Sequence, residues 1–137
     1  MPPKITKQFF ALLFAVVLIN ACTPPPTANN FITQEALVQR IQSNTAPLIL
    51  DVRTAQEYAQ GHIPSAINIE HTQLKEHLDR LTGHRHQEIV VHCESGLRAA
   101  VAEKILQQHG FKNILHLTGD MRAWRDKQLP LEFASKS

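Results

Sequence analysis

Short apolar runs alternate with helix-forming stretches along most of the chain. This alternation predicts an α/β fold: a parallel central sheet with helices on both faces. Two further observations agree. Pro47-Leu48-Ile49-Leu50-Asp51-Val52 and Glu88-Ile89-Val90-Val91 are nearly continuous in apolar residues, as strands covered on both sides must be. A length of 137 residues with ordinary hydrophobic content supports one domain with a substantial core.

Residues 1–30 read as an address rather than as part of the fold. Lys4 and Lys7 precede an apolar run from Phe9 to Ile19, which ends at Asn20-Ala21-Cys22. A charged start, an apolar stretch and small residues before a cleavage point make up an export signal. The run is too short to cross a bilayer, which takes roughly 20 residues of helix. Residues 1–21 are therefore expected to be a signal peptide that is removed. Ile19-Asn20-Ala21-Cys22 also resembles a bacterial lipobox. The resemblance implies that Cys22 is lipidated, carrying fatty acid such as palmitate, and heads the mature chain. Residues 22–30, rich in proline, are expected to form a semi-rigid tether. The implied setting is periplasmic, anchored to a membrane through lipid; Thr23 in place of Asp favours the outer membrane.

The folded domain is expected over 31–132, with a tail at 133–137. Thr33 caps a helix over Gln34 to Gln42, with Ala36, Leu37, Val38 and Ile41 on its apolar side. The strand through Pro47–Val52 follows. Thr54 caps a short helix from Ala55 to Gln60, which Gly61 ends. Ala66-Ile67-Asn68-Ile69 is a short strand. An amphipathic helix is predicted from Thr72 to Leu81, with Leu74, Leu78 and Leu81 at helical spacing. After the loop Thr82–Gln87 comes the strand that leads into Cys93. Ala99 to His109 is a helix ending at Gly110. Asn113–Leu117 is a strand, and Asp120–Lys127 a helix stopped before Pro130.

Charge excludes one class of partner. Lys4 and Lys7 supply the whole formal excess of +2, so the mature domain is neutral and gives no electrostatic case for nucleic acid. Of the two cysteines, Cys22 heads the expected tether, and Cys93 is the only one in the folded part.

Cys93 stands at the carboxyl end of a strand, where open parallel sheets bind ligands, and Asp51 reaches the same rim. Behind it run Glu94-Ser95-Gly96-Leu97-Arg98, and then helix formers. A thiol facing a helix N-terminus sits among converging N–H groups that favour the thiolate and hold anions. Cys93 is thus the candidate nucleophile; the alternative is a buried structural cysteine. Arg98 lies in the first turn of the helix, an unfavourable end for a cation. It is expected either to orient an anionic donor or to brace the loop through a carboxylate. Asp51 and Arg53 are either site residues or a structural ion pair at the rim. Glu57 and His62 are expected to cap and pack around the Gly61 turn, and Trp124 to fill core. His92 points away from Cys93, because adjacent strand residues face opposite sides. His84-Arg85-His86 has no cysteine or acidic partners at ligand spacing and reads as a solvated loop. No metal or cofactor is expected.

Four ordered stretches resemble the rhodanese (sulfurtransferase) domain. They are Leu50-Asp51-Val52-Arg53 with Glu57-Tyr58, Gly61-His62-Ile63-Pro64-Ser65-Ala66-Ile67-Asn68-Ile69, the loop Cys93-x-Ser95-Gly96-x-Arg98-Ala99, and Leu117-Thr118-Gly119-x-x-x-Ala123-Trp124. The resemblance covers about residues 31 to 131. It implies that Cys93 takes a sulfane sulfur from a donor such as thiosulfate, forms a persulfide, and passes it to cyanide or to a small or protein thiol. Residues Glu94, Ser95, Gly96, Leu97 and Arg98 would then bind the substrate. Covalent catalysis of this kind needs a thiolate, and the persulfide anion needs donors aimed at its terminal sulfur. Two residues depart from the pattern. Glu94 sets a carboxylate beside the nucleophile, which disfavours the thiolate and repels a dianionic donor. Asp120 stands where the family often has a second glycine. Two other functions compete: a non-catalytic sulfur carrier or docking module, and a cysteine phosphatase or arsenate reductase. Phosphatase loops hold one residue more between cysteine and arginine than the four here, Glu94 to Leu97.

Overall fold

A computed structural model describes residues 31–134. The expected signal peptide, Cys22 and the tether lie outside the described residues, as does the end of the expected tail. Among the described residues no helix is long and apolar enough to cross a membrane.

The chain runs β1 (Phe31–Ile32), α1 (Gln34–Gln42), β2 (Leu48–Asp51), α2 (Ala55–Ala59) and β3 (Ile67–Asn68). A 3-10 segment (Leu74–His84) follows, then β4 (Glu88–His92), α3 (Leu97–Gln108), β5 (Asn113–Leu117) and α4 (Asp120–Asp126). The five strands form one sheet in the order β1-β5-β4-β2-β3, and every pairing is parallel. The predicted fold class is the observed one. β4 is central, with β5 and β2 on its flanks, so the Cys93 loop leaves the sheet at its middle.

Strand alternation divides the core between the two faces. Leu50, Val52, Ile89, Val91 and Cys93 point to the side covered by α3 and the 3-10 segment, where they meet Ala99, Ala102, Leu106, Leu74, Leu78 and Leu81. Ile49 and Val90 point to the other side, against Leu37, Ile63, Leu117, Met121 and Trp124. Each fully buried Leu or Ile contributes roughly 1.5–3 kcal/mol by leaving water. Trp124 is completely buried and donates its indole N–H to the Pro130 carbonyl at 2.9 Å, so it is core as expected.

Both threonine caps form. The Thr33 side chain accepts from Ala36 N–H, and Thr54 and Glu57 make a reciprocal capping box at the start of α2. The region predicted as an amphipathic α-helix is 3-10 instead, broken at His77 (φ −116°, ψ 20°). Its buried leucines are the expected ones, but no side chain caps its start, so tertiary burial rather than an α-helical ladder holds it. Helix α3 begins at Leu97, earlier than the expected Ala99, because Gly96 serves as its N-cap with φ 99°. The two-residue strand β1 went unpredicted, being too short to show a period. It is secured by pairing with β5 and by Thr118 N–H donating to the Ile32 carbonyl at 2.9 Å.

Candidate active site

Cys93 follows β4 directly, with its side chain toward α3 and only 1% exposed. The loop beyond it is tied down from beneath by the start of α4. The Cys93 carbonyl accepts from Met121 N–H and the Glu94 carbonyl from Arg122 N–H, both at 3.1 Å. The Cys93 N–H donates to Asp120 Oδ1 at 2.8 Å. With two carbonyls held below, the amides that follow turn inward, and Gly96 N–H donates to Cys93 Sγ at 3.1 Å. Gly96 is required at this bend: its φ of 99° is left-handed, and a Cβ there would lie 3.2 Å from Asp120 Oδ2. Leu97 and Arg98 head α3, so their N–H groups lack intrahelical partners. Of the expected cradle, one contact with the sulfur is seen, that of the Gly96 N–H.

The predicted binding residues serve in different ways. Ser95 and Leu97 turn their side chains to solvent, Leu97 being 81% exposed, so only their backbone belongs to the cradle. Arg98 resolves to the bracing alternative. Its Nη1 and Nη2 donate to the Glu57 carboxylate at 2.7 and 2.8 Å. Glu57 raises the pKa of Arg98, and the Cys93 side chain adds a smaller push in the same direction. Arg98 in turn holds Glu57 down at about 2.

Asp51 and Arg53 form the ion pair. Arg53 Nη2 donates to Asp51 Oδ2 at 2.6 Å and to the Gly61 carbonyl at 2.9 Å, with both side chains buried. The pair braces the rim and faces the site only through Arg53 Nη1, which lies 4.0 Å from Glu94 Oε2. Glu94, the carboxylate expected beside the nucleophile, has cationic neighbours. Arg125 hydrogen-bonds one carboxylate oxygen and Arg53 faces the other. A cleft of about 200 Å³ opens here, lined by Arg53, Glu57, Gln60, Gly61, Glu94 and Arg125 among others.

His92 is fully buried, and burial pushes its pKa down. Its Nε2 lies 3.8 Å from Asp51 Oδ2, behind the rim, while Cys93 faces the other side of the sheet. It is no base for Cys93, as expected. His84 bonds Gln87 at 2.9 Å in an exposed turn, consistent with a solvated loop.

Sequence reasoning assigned no role to His116 or Glu103. His116 Nε2 sits 3.0 Å from Asp120 Oδ2, and its Nδ1 sits 2.5 Å from Glu103 Oε1. The available signal was Asp120 itself, a carboxylate where a glycine is usual: its φ of 52° explains the usual residue. Glu57 was given its capping role, but its partnership with Arg98 went unread.

Together these features define a class: parallel α/β domains that present one cysteine in a backbone cradle at the centre of the sheet. A family model described as the rhodanese-like domain matches residues 33–127, and the chain belongs to that family. A sulfurtransferase of Allochromatium vinosum is 33% identical over 102 residues, which cover 74% of this chain and 94% of that protein. A candidate sulfur carrier protein of Bacillus subtilis is 32% identical across 70% of this chain; the match spans 51% of that protein, about half its length. The crystal structure of a rhodanese-like domain protein from Staphylococcus aureus is similar at a TM-score of 0.66 and 29% identity, covering 76% of this chain and 97% of that one.

Proposed function

We propose that the chain is a sulfurtransferase that carries a sulfane sulfur as a persulfide on Cys93, from thiosulfate or a persulfide donor to a thiol or cyanide. The observation that carries this reading is the Gly96 N–H at 3.1 Å from Cys93 Sγ, within a loop whose carbonyls are tied away from the sulfur. With thiosulfate, the Cys93 thiolate attacks the outer sulfur. A new S–S bond forms, the donor's S–S bond breaks, and sulfite leaves with the bonding pair. The terminal persulfide sulfur then holds the negative charge, and the N–H groups heading α3 stabilise it. An acceptor thiolate attacks that sulfur, and the Cys93 thiolate departs with the pair of the broken bond; cyanide leaves as thiocyanate. Pairing of Glu94 with Arg125 and Arg53 lowers the barrier to an anionic donor.

A carrier that delivers sulfur to a protein thiol is the second reading. Leu97 and Val101, exposed one helical turn apart beside the loop, favour it, because a protein acceptor would cover them. A phosphatase is disfavoured. Arg98 commits its fork to Glu57 rather than leaving it open to an oxyanion.

The test uses the full chain with Cys22→Ala, so that Cys93 is the sole cysteine. Incubation with thiosulfate is expected to add one sulfur by intact mass, removable by cyanide and absent in Cys93→Ser. No gain with any sulfane donor, alongside hydrolysis of an aryl phosphate, would overturn the reading. The lipidated, periplasmic setting is proposed from residues 1–30 alone. Fatty-acid labelling of the wild-type chain that vanishes in Cys22→Ala would support it, and persistent labelling would refute it.

A further inference from the structure

Asp120 has both carboxylate oxygens engaged in a place where solvent barely reaches: it is 3% exposed. Oδ1 takes the amide of the nucleophile itself, and Oδ2 meets His116 Nε2 at 3.0 Å. On its far side His116 meets Glu103 of α3 at 2.5 Å. An imidazole with a carboxylate on each nitrogen is a donor at both, hence a cation. The hydrogen bond to Asp120, then that to Glu103, raise its pKa to about 10. Burial works against the Asp120 anion, but His116 and the Cys93 amide hold its pKa below the ordinary value. The chain Glu103–His116–Asp120 thus links α3, β5 and the start of α4 to the Cys93 loop. It also lies close beside the loop at a second place: a Cβ added at Gly96 would be 3.2 Å from Asp120 Oδ2 and 3.4 Å from His116 Nε2.

We infer that Asp120, fixed by His116 and Glu103, is a positioning residue for the nucleophile: it holds the Cys93 amide and bears on Gly96, and so aims the Gly96 N–H at the sulfur. The role is more than bracing. His116 compensates the Asp120 charge, which would otherwise lie bare beneath a loop built to hold a thiolate or persulfide anion. The titratable groups facing this assembly are Glu103 from α3, His116 from β5, Asp120 from α4, Cys93 itself, and His92 from β4, which acts on Asp120 electrostatically.

The inference rests on Cys93 as the reacting thiolate, so its test includes readouts that need no sulfur donor. In the full chain with Cys22→Ala, Asp120→Gly keeps a residue that tolerates left-handed backbone and deletes the carboxylate. The Cys93 amide proton is expected to shift upfield by NMR, and loading from thiosulfate to slow roughly tenfold in kcat with little change in KM. Asp120→Asn, which retains an acceptor for that amide, is expected to restore most of the rate. His116→Gln is expected to move the thiolate ultraviolet titration of Cys93 to higher pH. A merely structural role would lower the melting temperature of Asp120→Gly while leaving the kcat of the folded fraction and the thiolate titration of Cys93 unmoved, and that result would overturn the inference. Should the parent chain load no sulfur, the transferase reading fails by itself. The thiolate titration of Cys93 then still decides the positioning role, and an unchanged titration refutes it.

Discussion

Glu57 does two jobs with one carboxylate: its Oε2 closes the α2 capping box through the Thr54 N–H and hydroxyl, and both oxygens hold the Arg98 fork. His116 is its counterpart in opposite charge, one cation shared by two carboxylates. These residues set opposite edges of a pH window. Glu57 is lowered from 4.5 to about 2, so its contribution is present above pH 4.5 and is lost as pH falls through about 2. His116 is raised from 6.5 to about 10, so its contribution is complete below pH 6.5 and is lost as pH rises through about 10. Partial exposure of Glu57 keeps the acid effect the smaller of the two. Urea denaturation across pH is expected to show His116→Gln flattening the alkaline limb and Glu57→Gln flattening the acid limb. Equal slopes in variants and parent would refute the assignment. At this scale the sequence disclosed single residues better than pairs. The place of Cys93 at the end of a strand was legible, and so was Arg98 at a helix start, with a carboxylate as one of its two expected partners. That the carboxylate would be Glu57, 41 positions away, depends on how α2 docks against α3, which no local pattern encodes.

At the scale of elements, the loop between β4 and α3 depends on one conformation that few residues adopt. Gly96 combines a φ of 99° with the nearness of Asp120 and His116, so a methyl group there meets both strain and contact. Gly96→Ala is expected to cost about 1–2 kcal/mol in chemical denaturation. It is also expected to slow sulfur loading further than that loss of stability explains, because the Gly96 N–H would rotate off the sulfur. An alanine variant with parental loading would show that this N–H is dispensable. Elements with strong local signals were readable from the chain: apolar strands β2 and β4, and helices α1 and α2 with their threonine caps. The 3-10 segment was not, because leucines at positions 74, 78 and 81 fit a helical stripe whichever ladder the backbone forms. Nor was β1, whose two residues acquire meaning only beside β5.

Across the whole molecule, the parallel sheet gathers at one rim what the chain keeps apart. Asp51 at the end of β2 lies opposite His92 in register, and Cys93 follows at once. Such a rim carries charge into a region covered by helices, and the fold meets this with a closed ion pair. Arg53 is 2% exposed and its Nη2 bridges Asp51 to the Gly61 carbonyl, joining the end of β2 to the turn after α2. A buried pair of this kind is worth little against a well-packed apolar substitute, but removing one partner leaves the other charge uncompensated. Arg53→Leu is therefore expected to destabilise by about 3–5 kcal/mol, with Asp51 stranded in the rim. The double variant Asp51→Leu with Arg53→Leu is expected to recover a substantial part of that loss. Equilibrium denaturation of the parent, both single variants and the double variant closes the cycle. Additive losses would show that the two side chains act independently, and that the rim is held by other bonds, such as those the Asn68 side-chain amide donates to the Asp51 and Arg53 carbonyls.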